Sequence, residues 1–421
     1  MTEQMVYNSI HVSQSTFRGG LISPVHRWFR LTPSFGPELV DIMLEEMETA
    51  AHHRVMDPFS GAGTTLLQSK FREIESVGFE INPFLYFVCR TSTRLDLNPD
   101  RLRASLAAVE YAFAENVNKT SCLGVEELGI PLPKIHNVYR WWRQDVLKEL
   151  LLLRNVIQTS PKQQTHRDFF LLSLAGVLVP DLTNVSLGRL QLHFIDKSTH
   201  DLNVWRSFAG HAKQMIDDLE RISDTVIRTP AAVFHTDSTT LEGVGPLPHP
   251  VDRVITSPPY PNRYSYVWNT RPFLYFFEMF QESREAAALD LKTIGGTWGT
   301  ATSVLSKGRI EPWHPIIDKW ISPVSDEIRR KDPLMANYVM KYFNLLAQQI
   351  VSQDRLLSSS ARCAYVVGCS RIKGVYVETD RLLAEIFEGL GLGYSVRKIE
   401  RFRRRHSGSE LHESIVYAYK A

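Results

Sequence analysis

The chain has 421 residues, 43% of them hydrophobic and 22% charged. That balance excludes a disordered or fibrous polymer and suits one elaborated domain or two. The formal net charge is only +2, so contact with a polyanion has to come from local clusters of Lys and Arg.

Cys89, Cys122, Cys363 and Cys369 stand apart, with no paired-cysteine motif and no His cluster at ligand spacing. This argues against structural zinc and a disulfide framework, and for a reducing compartment. The N-terminus lacks the charged-then-apolar layout of a secretion signal, and the runs Leu150–Leu153 and Phe169–Val179 are too short for a membrane span. The expectation is a cytoplasmic protein with no membrane segment and no metal.

In chain order, Leu39, Val40, Ile42, Met43 and Met47 recur at helical spacing between Pro37 and Ala50, and Arg54-Val-Met56 leads into Asp57 as a short buried strand. Gly61 and Gly63 punctuate a turn, Thr64–Lys70 begins a helix, and Ser76–Phe79 is a second strand ending at Glu80. Strand, glycine turn, helix and strand make the opening half of a doubly wound sheet, which binds ligands at the carboxyl edge of its strands. From about Leu95 to Ile227 the alternation stops. Val146, Leu147, Leu150, Leu151, Leu153 and Ile157 form an apolar stripe, Phe169–Val179 and Phe208–Ile222 predict further helices, and Thr183–Asn203 reads as polar and irregular. Ala232–Asp237 and Val251–Thr256 resume the sheet. Gln281–Arg330, with Gly295, Gly296, Trp298, Gly299, Pro312 and Pro315, reads as a loop-rich lid or recognition segment. A helix over Asn337–Leu357, a strand at Cys363–Gly368, a helix at Thr379–Leu390 and strands at Ser395–Arg401 and Glu413–Tyr419 complete an α/β, doubly wound, seven-stranded Rossmann-like sheet with a helical insertion.

Two segments carry chemistry. Asp57-Pro-Phe-Ser-Gly-Ala-Gly-Thr-Thr65 is a glycine turn that lets the backbone approach a bulky ligand and aims helix N-terminal amides at it. A dinucleotide fingerprint needs a third glycine where this chain has Leu66, which disfavours a nicotinamide cofactor. Glu80, at a strand end, is suited to accept both hydroxyls of a ribose. About 200 positions later, Thr256-Ser-Pro-Pro-Tyr260 offers two acceptors, Ser257 Oγ and the Pro258 carbonyl, and a ring face at Tyr260. The paired prolines, Pro258 and Pro259, stiffen the turn and remove competing backbone donors. An exocyclic base amine is a poor nucleophile because its lone pair is delocalised. Acceptors on its two hydrogens localise that pair for in-line methyl transfer. The target atom of a duplex is reached only by flipping the base out, and stacking on Tyr260 offsets part of that cost.

The first segment resembles the S-adenosylmethionine motif of the DNA amino-methyltransferases, and Gly78-Phe-Glu-Ile-Asn-Pro83 is similar to the ribose motif that follows it. His26–Phe35 is similar to the segment that packs over the methionine end of the cofactor. The resemblance implies S-adenosyl-L-methionine held by Asp57 at the methionine amino group, by Phe59, Gly61, Gly63 and Thr64, by Glu80, by Asp237 at the adenine, and by Thr32 and Phe35. Thr256–Tyr260 resembles the family's catalytic motif, where serine in first place is seen mostly in cytosine-N4 enzymes and aspartate or asparagine in adenine-N6 enzymes. The cofactor motif precedes the catalytic one, a different order from relatives in which the catalytic motif comes first.

For the nucleic acid, Asn262, Arg263 and Tyr264 follow the catalytic turn directly, placed to hold a flipped nucleotide's phosphate or fill the vacated stack. Arg401–His406, including Arg403 and Arg404, is a charge run between the last two strands, at the edge where DNA would lie. Tyr139-Arg-Trp-Trp-Arg143 reads either as a phosphate-contacting patch or as two core tryptophans flanked by solvated arginines. The expected layout is a first core half over residues 1–95, a helical insertion that touches DNA over 96–230, and a catalytic half over 231–421 with its loop insertion at about 281–330. The resemblance implies a DNA methyltransferase acting on cytosine N4 in double-stranded DNA, with cognate restriction or defence proteins as partners. Adenine N6, an RNA amine, and a non-catalytic DNA-binding subunit are the alternatives.

Overall fold

The computed structural model describes residues 5–7, 17–32, 34–187, 192–296, 300–404 and 411–420. Its strands are β1 (Met5–Tyr7), β2 (Arg54–Asp57), β3 (Glu75–Glu80), β4 (Val185–Leu187), β5 (Leu192–Phe194), β6 (Ala231–His235), β7 (Val251–Thr256), β8 (Leu357–Gly368), β9 (Ser370–Ile372), β10 (Val375–Val377), β11 (Tyr394–Arg404) and β12 (His412–Lys420). Eight of these share one sheet in the order β1-β11-β12-β8-β7-β2-β3-β6. All seven strands expected from the sequence are in it, and β1 adds an eighth at the edge by pairing parallel with β11. Strands β6, β3, β2, β7 and β8 run parallel, while β12 is antiparallel to both its neighbours.

Alternation along the strands divides the core. Val55, Ile255, Ala364, Val366, Ile415 and Tyr417 pack with Leu39, Val40 and Met43 of the helix Pro37–Glu46. Their neighbours Met56, Val254, Cys363, Tyr365, Val367 and Val416 face the other way, onto the helices Pro333–Asp354 and Thr379–Gly389. A strand buried on both sides reads as a continuous apolar run, which is why these strands were visible in the sequence.

The insertion is helical as expected, with long helices at Pro99–Lys119, Gln144–Thr159, Gln164–Leu182 and Val204–Leu219. Within the irregular stretch, β4 and β5 pair as an antiparallel ribbon. Trp141 and Trp142 are both buried in the insertion's core, and Arg143 is taken up by Asp145 and by the carbonyls of Lys197 and His200. The core reading of that aromatic pair therefore describes the fold. Arg154, itself buried, donates to the Phe276 carbonyl and to Glu278 at 3.3 Å, tying the insertion to the helix Tyr266–Phe276 that follows the catalytic turn.

Asp218 links the insertion to the N-terminal segment. Its fully buried carboxylate accepts from Val25 N, Arg27 Nε and Trp28 Nε1, each at 3.0 Å, and pairs with the Arg27 guanidinium as well. Removing it strands three donors and half of an ion pair in the interior. Asp218→Ala is expected to cost about 3–5 kcal/mol of stability, read as a lowered midpoint in urea with an unchanged slope.

The stretch expected to be loop-rich is different. Residues 281–330 contain helices at Ser283–Lys292, Thr300–Leu305 and Pro315–Arg329. The first is opened by a capping box between Glu282 and Glu285, and the third by Pro315 at its first position behind the His314 cap. Those proline and polar signals mark helix starts here, not breaks. Trp298 and Gly299 lie outside the described residues.

Candidate active site

The order in which successive strands join the sheet reverses between the parallel neighbours β2 and β7. From β2 the sheet grows outward through β3 and β6, and from β7 in the opposite direction through β8. That reversal opens a crevice at the carboxyl ends of the two strands. The glycine turn leaves β2 and the Ser257 turn leaves β7, so both enter the crevice side by side. Thr256 Oγ1 donates to Asp57 Oδ1 across them at 2.6 Å.

A solvent-open cavity of about 950 Å³ fills this crevice. Asp57, Phe59, Gly61 and Thr64 line one side, Glu80 the end of β3, Asp237 the end of β6, and Ser257 with Pro259 the opposite side. Leu31, Ser34 and Phe35 cover it from the N-terminal segment that Asp218 anchors. Nine of the thirteen residues expected for cofactor and catalysis thus share one wall system.

Gly63 stands behind the cavity. Its φ of +92° is left-handed, and a Cβ there would meet Cys89 Sγ at 2.8 Å. Glycine at this position lets the helix Thr64–Phe71 start close against the helix Pro83–Ser92. Thr32 lies in a neighbouring cavity and supplies only its carbonyl, which accepts from the Tyr264 hydroxyl. Pro258 is buried behind Ser257, and the Tyr260 ring lies over Gly368 at the end of β8, where an added Cβ would come within 2.7 Å of Tyr260 Cδ2.

The loop after the catalytic turn corrects one expectation. Tyr264 is buried, bonded to Thr32 and edge-on to Tyr266 at 4.8 Å, so it clamps the loop to the N-terminal segment and does not line the cavity beneath the strand ends. Asn262 is a turn-former: its N donates to the Tyr260 carbonyl at 2.7 Å, and its Oδ1 accepts from Tyr264 N. Arg263 is exposed, in a left-handed conformation (φ 61°), with its backbone N–H on the Tyr338 hydroxyl at 3.2 Å. The backbone of Arg403 and Arg404 ends β11 opposite Glu413 and His412. Because β11 runs parallel to β8, that end falls on the crevice edge of the sheet. Their side chains, and residues 405–410, lie outside the described part of the chain.

Burial sets the electrostatics. Asp57 is pushed up to about 6, the hydrogen bonds from Thr256 and Phe59 opposing the shift. Glu80 is pushed up to about 7 by burial, although it accepts from Gly61 N and Asn82 N at 2.8 Å each. Glu80 therefore does two things: it offers a carboxylate to the cavity and it ties the glycine turn to β3. Asp237 Oδ1 accepts from the backbone and hydroxyl of Thr239.

Sequence reasoning missed part of the wall. Asn82 sat in the ribose motif unassigned; its side chain caps the helix Pro83–Ser92 and donates to Thr270 Oγ1 at 2.9 Å. Tyr266 and Val267, on the helix after the catalytic turn, and Lys292, Thr293 and Ile294, from the misread stretch, also line the cavity. No local pattern marks these five, since only tertiary packing brings them here.

No protein-family model matches the chain. It is similar to the type II methyltransferase M.MvaI of Kocuria varians, 21% identical over 84% of this chain and 77% of that protein. It is 22% identical to M.AvaI of Nostoc sp. over 91% of this chain and 82% of that protein, and 23% identical to M.BsoBI of Geobacillus stearothermophilus over 61% and 55% respectively. Sheet order, the paired motifs and these similarities together support the S-adenosylmethionine-dependent DNA methyltransferase family.

Proposed function

We propose that the chain methylates cytosine N4 in double-stranded DNA, using S-adenosyl-L-methionine and a base flipped into the cavity mouth. The observation that carries this reading is the convergence of Gly61, Glu80 and Ser257 on one cavity beneath adjacent strand ends. The donor set fits the cofactor: Glu80 suits ribose hydroxyls, Asp57 an amino group, Asp237 an adenine amine, and Phe59 and Phe35 apolar faces. Ser34 Oγ, buried in the cavity wall without a protein hydrogen-bond partner, also fits a polar ligand. When bound, the cofactor supplies an electrophilic methyl group.

The chain's own residues do the rest. Ser257 Oγ and the Pro258 carbonyl accept the amine hydrogens, and Tyr260 stacks the base. Serine in first place favours cytosine N4 by family resemblance; adenine N6 is the second reading. A non-catalytic subunit would not need the acceptor pair beside the cofactor wall. No helix among the described residues is long and apolar enough to cross a membrane.

The test is transfer of labelled methyl to duplex DNA and to structured RNA, followed by nucleoside analysis. N4-methylcytosine in duplex DNA supports the proposal, while label only in RNA, only at adenine N6, or nowhere overturns it. Arg403 and Arg404 extend the reading to phosphate contacts. Arg403→Ala/Arg404→Ala should flatten the dependence of log affinity on log salt by about 2 if each makes one contact. An unchanged slope removes the pair from the interface.

A further inference from the structure

The helix Pro333–Asp354 presents polar side chains one turn apart to the segment between the first and third helices of residues 281–330. Asn337 Nδ2 donates to the carbonyls of Leu305 and Gly308, each at 2.7 Å, and its Oδ1 accepts from Ile310 N at 3.1 Å. Asn344 accepts from Trp313 N and donates to the Glu311 carbonyl, both at 2.9 Å. Between them in sequence, Lys341 Nζ donates to the carbonyls of Leu291 at 2.8 Å and of Thr293 and Gly296 at 3.4 Å. Side chains that spend themselves on backbone groups fix a segment's path without depending on its side chains.

The part held by Lys341 is the part that reaches the site. Thr293 and Ile294 line the cavity. A Cβ at Gly295 would stand 3.6 Å from both Pro259 Cβ and the Tyr260 carbonyl oxygen, so this turn backs the catalytic one. Asp290, buried in the last turn of the helix Ser283–Lys292, accepts from Ser265 Oγ at 2.8 Å, and Ser265 in turn caps the helix carrying Tyr266 and Val267. Asp290 also acts on Lys341: burial pulls the Lys341 ammonium down to about 8, and that carboxylate opposes the shift.

We propose that Lys341 is a positioning residue for the reaction: gathered by three carbonyls, its ammonium holds the end of the helix Ser283–Lys292 and the turn 293–296 against Pro259 and Tyr260 and so fixes one wall of the cofactor cavity. The proposal rests on the reading of that cavity as the methyl-donor site. Methionine at 341 keeps the length of the side chain and loses its three donors; arginine keeps the charge and the donors.

Hydrogen exchange on the ligand-free chain tests the anchor itself. In Lys341→Met the amides of residues 293–296 should exchange about 10–100-fold faster, as expected for losing hydrogen bonds to a charged group, with β2, β7 and β8 protected as before. Binding of S-adenosylhomocysteine, followed by calorimetry, should weaken in Lys341→Met and recover in Lys341→Arg. In methyl transfer, kcat should fall in Lys341→Met with KM for DNA unchanged. Exchange that is unchanged at 293–296, or that quickens equally across the whole sheet, overturns the proposal; so does binding that is the same in all three chains. Should Lys341→Met fail to fold, Lys341→Gln takes its place in the same measurements. If exchange responds as expected but the parent chain methylates no DNA, the anchor stands and the function assigned to the cavity falls.

Discussion

Ser257→Ala is expected to slow methyl transfer by about 10²–10³-fold while leaving cofactor binding as it is, in line with the loss of one preorganised polar group aimed at a reacting centre. The separation of effects follows from the geometry. Asp57 reaches the β7 turn through Thr256 Oγ1, not through Ser257, so the wall facing the cofactor keeps its hydrogen bonds when the Ser257 hydroxyl is removed. Ser257 lines the cavity from the side opposite Gly61 and Glu80. Its loss leaves the amine with the Pro258 carbonyl as its remaining acceptor, and the nitrogen stays closer to planar. Single-turnover transfer to a duplex, set beside calorimetry of S-adenosylhomocysteine, checks both halves. A variant that transfers at the parent rate would remove Ser257 from the chemistry, and one that loses ligand binding would make it part of the cofactor wall.

How much of this was legible depended on where each signal resides. The inner parallel strands could be read because strands covered on both faces are continuous apolar runs, as in Val251–Thr256 and Cys363–Gly368. The two motifs could be read because their chemistry is local: a turn needs its glycines and a rigid acceptor needs its prolines. Strand β1 offered only three residues and no pattern. The helices of 281–330 were masked by prolines at Pro315 and Pro323 and by a sparse buried face of Ile317, Ile321 and Ile328. Gly63 and Tyr264 show a subtler limit. A glycine in a cofactor motif and a tyrosine beside a catalytic turn each look ligand-facing, yet one faces Cys89 and the other Thr32. Sequence spacing tells which turn a residue belongs to; which side of the turn it faces is decided by what packs behind it.

Glu80→Gln is expected to weaken methyl-donor binding by about 10–100-fold, the scale of a lost hydrogen bond to a charged group, and to remove a pH dependence that the parent chain shows. The sign follows from burial. Glu80 is raised in the folded chain to about 7, above the ordinary glutamate value, so between those two values the folded state holds a proton that the unfolded state has released. Its contribution to stability is therefore fully present at low pH and is lost as pH rises through about 7. Ribose hydroxyls donate to the ionised form, so binding draws that proton off. Affinity should climb as pH rises toward about 7 and then level, by at most about tenfold per pH unit. Asp57, raised to about 6, adds a similar rise at lower pH that Glu80→Gln leaves in place. The ligand's own amine titrates identically against both chains, so the difference between the two profiles isolates Glu80. Glutamine also puts a donor where Gly61 N or Asn82 N needs an acceptor, so the glycine turn loosens along with the ribose contact. Binding measured from pH 5.5 to 8.5, roughly a unit and a half either side of Glu80's shifted value, decides the matter. Parallel profiles for parent and variant would show that the carboxylate at the end of β3 takes no part in holding the ligand.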